Sequence, residues 1–472
     1  MDTQYWIERA RQELRSMPID RIQDSGILPD RGADFFPVIG YPPLTMFSDM
    51  NQDALFSKPT KHTTYPTLAY VHIPFCPSRC TFCHWITKTK SPTEAVDVYL
   101  DYLEREMILY KQQIGVDAIA VQSVLFGGGT PTYPSPRQME RLMKMFTTHF
   151  DLSSCSQFSV EAEPTTVIGS QGREKLQIMK DYGVDRISLG VQSFNDNVLA
   201  YMGRTHNHAQ TLESIDNMRA VGIDNIFIDL IFGYPKQTLE MWTENMLECV
   251  ALGIEGYQLY RLRIKQHGDR QGNILSQASK FPERFPDTDT VLLMKQIGIL
   301  ISEQHGYNEH QTRVFAKKAN DISHYLRDWA CHLADVIGVG VSAWSNFRGV
   351  FAINVGDANL QHYYDLIDKG KIAINRGKIR SNDDYLRRCL ILPLKNLGVD
   401  KSLFLQRTGE DINERFGIEI AGLKTLGLLE EDQNRLWLTK SGRFFADEVA
   451  TQFFNPEFMP FSDVTRLAQV NK

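Results

Sequence analysis

The chain of 472 residues lacks a long apolar run, a large excess of charge of one sign and any recognisable repeat. No apolar run reaches the length of a membrane-spanning helix, and the first residues do not begin a signal peptide. A net charge of −6 gives no reason to expect nucleic acid as a partner. Four of the seven cysteines are widely scattered, which predicts buried reduced thiols and a cytoplasmic protein: Cys155, Cys249, Cys331 and Cys389. What remains is a globular protein of two or three structural units.

The other three cysteines lie close together and carry the chemistry of the chain. Cys76, Cys80 and Cys83 follow a C-x3-C-x2-C spacing. A cuboidal four-iron cluster held by three cysteines keeps one iron open for a small molecule, whereas an electron carrier closes all four irons. The motif therefore predicts an iron–sulfur cluster at which a small molecule binds, and an exposed low-valent cluster favours a low-oxygen environment.

Two other interpretations of this motif stay open. With His84 as a fourth ligand it could form a zinc knuckle, although no second ligand pair follows at a familiar spacing. Alternatively, the thiols are unrelated and buried. The context favours the cluster, because Leu68–Phe75 is typical of an apolar strand that runs into a proline-bearing loop, and the cysteines lie in that loop.

Six short apolar runs alternate with helical patterns, which predicts a parallel sheet with helices outside it. The predicted strands are Ala69–Ile73, Val121–Phe126, Phe158–Glu163, Arg186–Val191, Asn225–Phe232 and Gly256–Leu262. The helical segments include Arg137–Thr147, Gly172–Asp181, Gln210–Val221 and Glu240–Ala251. Six units are too few to close an eight-stranded barrel, so we expect an α/β fold with a partial (β/α)6 barrel and a site at the carboxyl ends of its strands. A further helix is predicted to begin with Ser91 as its N-cap and Glu94 completing a capping box.

The chain is predicted to divide into three units. Residues 1–64 form an irregular N-terminal arm with one leading helix, residues 65–355 the partial barrel, and residues 356–472 a small helical, winged-helix-like domain. The C-terminal domain carries little basic excess, which favours a structural or substrate-covering role over DNA binding.

The second and third predicted strands end in residues suited to a ligand. Gly128, Gly129 and Thr130 follow the second strand, and glycine lets the backbone approach a ligand closely. Glu161 and Glu163 lie in the otherwise apolar third strand. A carboxylate buried there requires a partner, either ribose hydroxyls or a salt bridge to a neighbouring strand.

The fourth and fifth strands bring a second polar group. Gln192 ends the fourth strand, Arg204 follows after a helical turn, and Asp229 lies within the fifth strand. An amide, a guanidinium and a carboxylate could together recognise an amino-acid moiety or a sugar. Alternatively, Arg204 and Asp229 could form a structural salt bridge.

At this point the chain resembles a known family. The sequence Tyr-Val-His-Ile-Pro-Phe-Cys that leads into the cysteine motif is similar to the radical S-adenosylmethionine (SAM) enzymes of the HemN-like branch, around oxygen-independent coproporphyrinogen III dehydrogenase, from about Tyr65 to about Ala450. The resemblance implies a (β/α)6 core, an arm over the barrel mouth and a 4Fe-4S cluster whose open iron is chelated by SAM. It further implies reductive cleavage of SAM to a 5′-deoxyadenosyl radical, with a low-potential electron donor such as flavodoxin or ferredoxin.

The resemblance also implies roles for individual residues. Tyr70, Gly128 and Glu161 would contact the first SAM, with Glu161 on its ribose, and Gly129 and Thr130 would line the space beyond. A second SAM would be contacted by residues that match the family's second site or lie in that region: Phe82, Gln192, Arg204, Asp229, Arg263 and Trp344.

The substrate side departs from the porphyrin-forming enzymes. His84-Trp85 stands where those enzymes have glycine and a fourth cysteine, and Arg263 and Trp344 replace a small and an aliphatic residue. An aromatic pocket for a flat conjugated substrate is therefore expected, with His84, Trp85, Tyr257, Tyr260, Trp329 and Trp344 as its candidates. The favoured prediction is a radical SAM enzyme that uses a second SAM for methyl or methylene transfer to an sp2 carbon, by methylation or cyclopropanation.

Two alternatives stay open. The first is oxidative decarboxylation of a porphyrinogen propionate, since a substrate with several carboxylates would need a cationic pocket such as Arg261, Arg263, Lys265 and Arg270 could form. The second is a non-enzymatic haem or iron–sulfur carrier, because some members of the family bind haem.

Overall fold

The computed structural model describes residues 2–28, 36–56, 66–264, 273–356, 359–459 and 466–467. Seven neighbouring strands of its large sheet run parallel, in the order β7-β1-β2-β3-β4-β5-β6. They are β1 (Thr67–Ile73), β2 (Ser123–Gly128), β3 (Phe158–Ala162), β4 (Arg186–Gln192), β5 (Asn225–Phe232), β6 (Gly256–Arg261) and β7 (Asp335–Val339). The α/β partial barrel is confirmed. Only β7, which pairs with β1, was not among the predicted strands.

Helices cover the outside of the sheet and connect its strands. In the first half of the chain they are Thr3–Arg15, Ile19–Asp24, Gln52–Phe56, Thr93–Ile114, Pro136–His149, Gly169–Asp181, Asp196–Met202, His208–Ala220 and Leu239–Ala251. In the second half they are Asn273–Lys280, Thr288–Gln304, His324–Ala330, Gln361–Asp368, Asn382–Asn396, Lys401–Thr408, Ile412–Thr425, Lys440–Phe444 and Ala446–Thr451. Within the described ranges, no helix is both long enough and apolar enough to cross a membrane.

Antiparallel strands extend the sheet at both edges. Beyond β6 lie Val314–Ala316 and Asn308–Gln311, and beyond β7 lie Trp344–Phe347, Val350–Asn354, Ile374–Ile379 and Ser48–Asp49. The sheet thus includes a strand of the N-terminal arm and a strand that follows residue 355. The three-unit division stays a prediction, and its boundary at Tyr65 lies outside the described residues.

The C-terminal region combines helices with a small sheet. Val399–Asp400, Arg435–Leu438 and Leu429–Glu431 form three antiparallel strands beside the helix Ile412–Thr425. A helix followed by such a hairpin is the wing that the sequence predicted, with one additional short strand. This confirms a helical C-terminal domain.

A charged pair ties the N-terminal arm to the C-terminal helices. The ammonium of Lys395 lies 2.5 Å from Asp447 Oδ1, and the Lys395 side chain is almost fully buried. The same two groups hold the backbone of Val38 on both sides. Lys395 Nζ donates to the Val38 carbonyl oxygen at 2.6 Å, and the Val38 N–H donates to Asp447 Oδ1 at 2.7 Å. Val38 also belongs to the apolar core of the C-terminal region.

A second buried carboxylate braces the barrel behind β1 and β7. Glu106, on the long helix Thr93–Ile114, accepts hydrogen bonds with both oxygens. Oε2 accepts from Gly340 N at 2.6 Å and Tyr363 OH at 2.8 Å, and Oε1 accepts from Asn354 Nδ2 at 2.8 Å and Ala373 N at 3.4 Å. One fully buried side chain thereby fastens four separate segments.

The predicted N-cap of this long helix is wrong by one residue. The helix begins at Thr93 with Pro92 as its N-cap, and no side chain caps it. Pro92 is extended, with ψ of 157°, so the first helical turn starts after it and the Ser91 hydroxyl stands one residue too early to reach the free N–H groups.

Candidate functional site

A cavity of about 400 Å³ opens at the carboxyl ends of the parallel strands. It brings together most of the predicted site residues: Cys76, Cys80, Phe82, Cys83, Gly128, Gly129, Thr130, Glu161, Gln192, Arg204, Asp229 and Arg263. Pro37 and Ile39 of the N-terminal arm lie at its rim. Two predicted residues lie outside its lining. Tyr70 is below it, with its hydroxyl 3.1 Å from His72 Nδ1, and Trp344 lines a neighbouring apolar slot.

The cysteine loop is held by short contacts at each thiol. Phe75–Cys76 pairs with Lys88–Thr89, and the Thr130 hydroxyl donates to Cys76 Sγ at 3.4 Å. Arg204 Nη1 donates to Cys80 Sγ at 3.3 Å. Burial raises the pKa of Cys76 to about 12 and that of Cys83 to about 11. These two thiols therefore stay protonated near neutral pH, and metal binding would have to displace their protons.

The zinc knuckle is not favoured by the spacing of its candidate ligands. His84 Nε2 donates to the carbonyl oxygen of Arg263 at 3.1 Å, which leaves Nδ1, buried and without a hydrogen-bond partner, as the nitrogen that could bind a metal. Within the described ranges, no group of three or more His, Cys, Asp or Glu side chains is arranged to hold a single metal ion. The thiols of a cuboidal cluster bind separate irons, so their spacing differs from that of ligands to one ion.

The glycines at the end of β2 serve protein packing first. Gly128 has a φ of +114°, and a Cβ there would lie 2.7 Å from His72 Nε2. A Cβ on Gly129 would lie 2.8 Å from the backbone of Pro74. In the structure the missing Cβ atoms make room for β1 and for the start of the cysteine loop, and the contact of these glycines with a ligand stays a prediction.

Glu161 and Asp229 face the cavity from β3 and β5. Glu161 Oε2 accepts from Gly128 N at 3.2 Å, and Asp229 Oδ1 accepts from the Ser188 hydroxyl at 3.4 Å. Burial, and then the charge of Asp229, raise the pKa of Glu161 to about 7. Burial raises the pKa of Asp229 to about 6, against the opposing charge of Arg186. A bound molecule that donates hydrogen bonds or carries positive charge would stabilise the ionised form of both carboxyls.

Arg204 connects the cysteine loop to the strand ends. Besides Cys80, it donates to the carbonyl oxygen of Gly190 at 2.6 Å and lies 3.5 Å from Glu163 Oε1. The predicted alternative of a salt bridge from Arg204 to Asp229 is wrong, because Glu163 takes that place. Glu163 also contacts His206, at 3.3 Å, so its position is fixed from two sides.

A break in the strand pairing places Gln192 and Asp229. The register between β4 and β5 shifts between Ile228 and Leu230, and Gln192 adopts a φ of +68°. Such a bulge turns a strand end and re-aims its side chains. Both residues consequently reach the cavity from neighbouring strands.

Sequence reasoning missed several charged residues of the site. Arg186 begins β4, is almost fully buried and lies 4.1 Å from the Phe227 ring centroid. Arg313 lines the cavity, beside Arg261, which belongs to the predicted cationic cluster. The alternation of β4 could have identified Arg186, since an arginine in an apolar strand must face a polar interior. Arg313 lies in a turn far along the chain, and no local pattern marks it.

The expected aromatic pocket is confirmed in part. His84, Trp85 and Tyr260 line the cavity, and the Trp85 side chain is half exposed at 46%. Tyr257 does not line the cavity, because it lies on the opposite face of its strand from Tyr260. Its hydroxyl donates to the Ser302 hydroxyl in the outer helix layer. Trp329 packs near Gly40 and the C-terminal core. Of the four scattered cysteines predicted to be buried, Cys155 is only half-buried, and all four are free.

The donor set fits the groups that the resemblance implied. Three thiols in one wall of the cavity would hold the cluster, and the buried carboxyl of Glu161 beside them is matched to the hydroxyls of a nucleoside. Lys265 and Arg270, part of the predicted cationic cluster, lie outside the described residues, whereas Arg261 and Arg263 line the cavity.

Comparison with known proteins agrees with this site. Residues 70–248 match the family model described as the radical SAM superfamily, and residues 381–445 match the HemN C-terminal domain. The chain is 30% identical to the heme chaperone HemW of Bacillus subtilis over 387 residues, which cover 82% of this chain and 98% of that protein. It is 27% identical to the oxygen-independent coproporphyrinogen III oxidase of Escherichia coli over 428 residues, covering 88% and 91%.

The solved structures give the same result. Coproporphyrinogen III oxidase (HemN) from Escherichia coli, a radical SAM enzyme, superposes with a TM-score of 0.76 at 26% identity and covers 88% of this chain and 96% of that one. Similarity over both the barrel and the C-terminal region, together with the cysteine motif, shows the family. The chain belongs to the HemN-like family of radical SAM proteins.

Proposed function

We propose that Cys76, Cys80 and Cys83 hold a 4Fe-4S cluster and that the adjoining cavity binds SAM. When bound, these cofactors supply a 5′-deoxyadenosyl radical that can abstract a hydrogen atom. The observation that carries the proposal is the convergence of the three thiols with Glu161 in one cavity. Family membership implies the same two cofactors.

The chain's own side chains hold and orient what enters the cavity. Glu161 accepts hydrogen bonds from the ribose hydroxyls of SAM. Arg204, braced by Gly190 and Glu163, keeps the Cys80 thiol side of the loop in place. Gln192 and Asp229, aimed by the bulge, contact a second SAM together with Phe82.

The substrate is a porphyrinogen-type molecule, in which saturated carbons join four pyrrole rings that carry several carboxylates. Arg261, Arg263 and Arg313 line the same cavity, and guanidinium groups are suited to carboxylates. Trp85 and Tyr260 offer ring faces beside them. Relatives named as coproporphyrinogen III oxidases support the reaction: a hydrogen atom is taken from the β-carbon of a propionate, carbon dioxide leaves, and the remaining electron passes to an acceptor.

A second candidate is methyl or methylene transfer to an sp2 carbon. It is favoured by one observation, the His84-Trp85 pair on the cavity wall, where the porphyrin-forming enzymes continue with glycine and cysteine. A bulkier wall would exclude part of a tetrapyrrole and leave room for a smaller ring.

One anoxic experiment separates these functions. The reconstituted protein is incubated with dithionite, SAM and coproporphyrinogen III, and the products are separated by chromatography. 5′-Deoxyadenosine together with a vinyl-bearing product supports decarboxylation. S-adenosylhomocysteine formed with a flat conjugated substrate supports methyl transfer. The Cys83→Ala variant serves as the control without a cluster. Haem binding without any cleavage of SAM would overturn both proposals and indicate a haem carrier.

A further inference from the structure

Cations and aromatic rings share one surface behind the cysteine loop. This basic aromatic patch consists of Tyr201, Lys236, Phe281 and Arg284. Lys236 Nζ lies 5.0 Å from the Tyr201 ring centroid, and the Arg284 guanidinium lies 3.9 Å from that of Phe281. Arg284 Nη1 also lies 3.4 Å from the Tyr201 hydroxyl. Phe281 is 39% exposed, and Lys236 is exposed.

The patch is positively charged in a chain whose net charge is −6. In the part of the chain that the structure describes, Glu283 is the acidic side chain that pairs with it, at 3.7 Å from Arg284 Nε, and Glu283 is itself largely exposed. Lys236 forms no ion pair within that part of the chain. An isolated basic surface with exposed aromatic area is complementary to an acidic protein.

Packed side chains connect this patch to the cysteines. The Tyr201 and Tyr234 ring centroids are 6.0 Å apart, and those of Tyr234 and Phe82 are 6.4 Å apart. The Tyr234 hydroxyl is hydrogen-bonded to the hydroxyl of Thr81, and Thr81 N donates to the carbonyl oxygen of Met202. Thr81 and Phe82 are the residues between the second and third cysteines of the motif.

We propose that the basic aromatic patch docks an acidic, low-potential protein that donates one electron, of the flavodoxin or ferredoxin type. The donor is oxidised by one electron, and the centre held by the three cysteines is reduced by one, with Tyr201 and Tyr234 forming the packed contact between the two. The proposal rests on the proposed function, since the electron is the one that cleavage of SAM consumes. It assigns the partner's surface, which adjoins the segment between the second and third cysteines.

The test is the binding of a purified bacterial flavodoxin to the cluster-loaded protein, followed by biolayer interferometry under anoxic conditions. The test variant combines Lys236→Asp and Arg284→Glu. Lys236 has a φ of +62°, and aspartate tolerates this conformation better than most residues. The control is Lys144→Glu, a charge reversal on the exposed face of another helix. We expect the association rate constant of the double variant to fall about tenfold or more at low ionic strength, with the difference closing at high salt. The control should match the wild type.

Equal association rate constants in the double variant and the wild type would overturn the proposal, as would wild-type binding that does not depend on salt. If circular dichroism shows that the double variant is misfolded, the neutral pair Lys236→Asn and Arg284→Gln is measured in its place, and the same criterion applies. Dithionite needs no docking surface. Failure of dithionite to support cleavage of SAM by the wild type would therefore refute the proposed function, whereas the binding measurement decides the patch on its own.

Discussion

Replacing Glu161 by glutamine tests the nucleoside site most directly. The carboxyl is buried beside Gly128 and accepts a hydrogen bond from its N–H at 3.2 Å. Hydrogen bonds to a charged group contribute about 1.5–3 kcal/mol, against about 0.5–1.5 kcal/mol for neutral ones. If two ribose hydroxyls donate to this carboxylate, Glu161→Gln should cost about 2–3 kcal/mol. The Kd for SAM would then rise by about 30- to 150-fold.

The pH dependence of SAM binding tests the role of Glu161 independently. Burial and the charge of Asp229 raise the pKa of Glu161 to about 7. Below that pH the free protein must release a proton before the carboxylate can accept both hydroxyls, so the affinity for SAM should fall about tenfold per pH unit. Above it, the affinity should be constant. In Glu161→Gln this slope should disappear, because the amide does not titrate.

The measurement is calorimetric titration of SAM into the cluster-loaded protein under anoxic conditions, from pH 6 to pH 9. The matched comparison is Asp229→Asn, which removes the charge that helps to raise the pKa of Glu161 and should move the onset of the slope to lower pH. A Glu161→Gln variant that binds SAM within about threefold of the wild type, or keeps the wild-type slope, would refute the assignment of Glu161 to the ribose.

Three further outcomes are expected. Cys83→Ala should lose the cluster and its visible absorption, whereas Cys155→Ala, outside the site, should keep both, and iron analysis checks this. Glu106→Gln should lower the free energy of unfolding by about 2–4 kcal/mol, because the amide nitrogen must face a hydrogen-bond donor in either orientation. Denaturant melts measure this change, and an unchanged melt would contradict the stabilising role of Glu106. Gly128→Ala should weaken binding of SAM and lower the melting temperature, because the new Cβ would lie 2.7 Å from His72 Nε2. A variant as stable as the wild type would contradict this and show that the strand end can shift.

The strands were predictable because each is a short run of apolar and β-branched residues bounded by turn residues. Asn225–Phe232 was predicted with its observed bounds, and the other five differ by at most two residues at either end. The seventh parallel strand, Asp335–Val339, was missed because only its pairing with Thr67–Ile73 distinguishes it from a loop rich in glycine. Pairing between distant segments leaves no local signal.

The site was predictable where one motif carries its residues. The cysteine loop and the residues at the ends of its neighbouring strands meet as expected, because the carboxyl ends of parallel strands lie at one edge of the sheet. Arg313 could not be found, since it reaches the cavity from a turn between antiparallel strands at the far edge. The partner of Arg204 was also beyond the sequence. Two carboxylates, Glu163 and Asp229, were available, and only the folded structure shows that Glu163 lies 3.5 Å from Arg204.

The Lys395–Asp447 pair fastens the rim of the cavity to the C-terminal helices. Val38, which this pair grips by its N–H and its carbonyl, stands between Pro37 and Ile39 at the cavity rim. A substrate that displaces this rim must either break the two hydrogen bonds from Val38 to charged groups, which contribute about 1.5–3 kcal/mol each, or move the helices along with it. Entry of large molecules is thereby coupled to movement of a region that contributes no side chain to the chemistry.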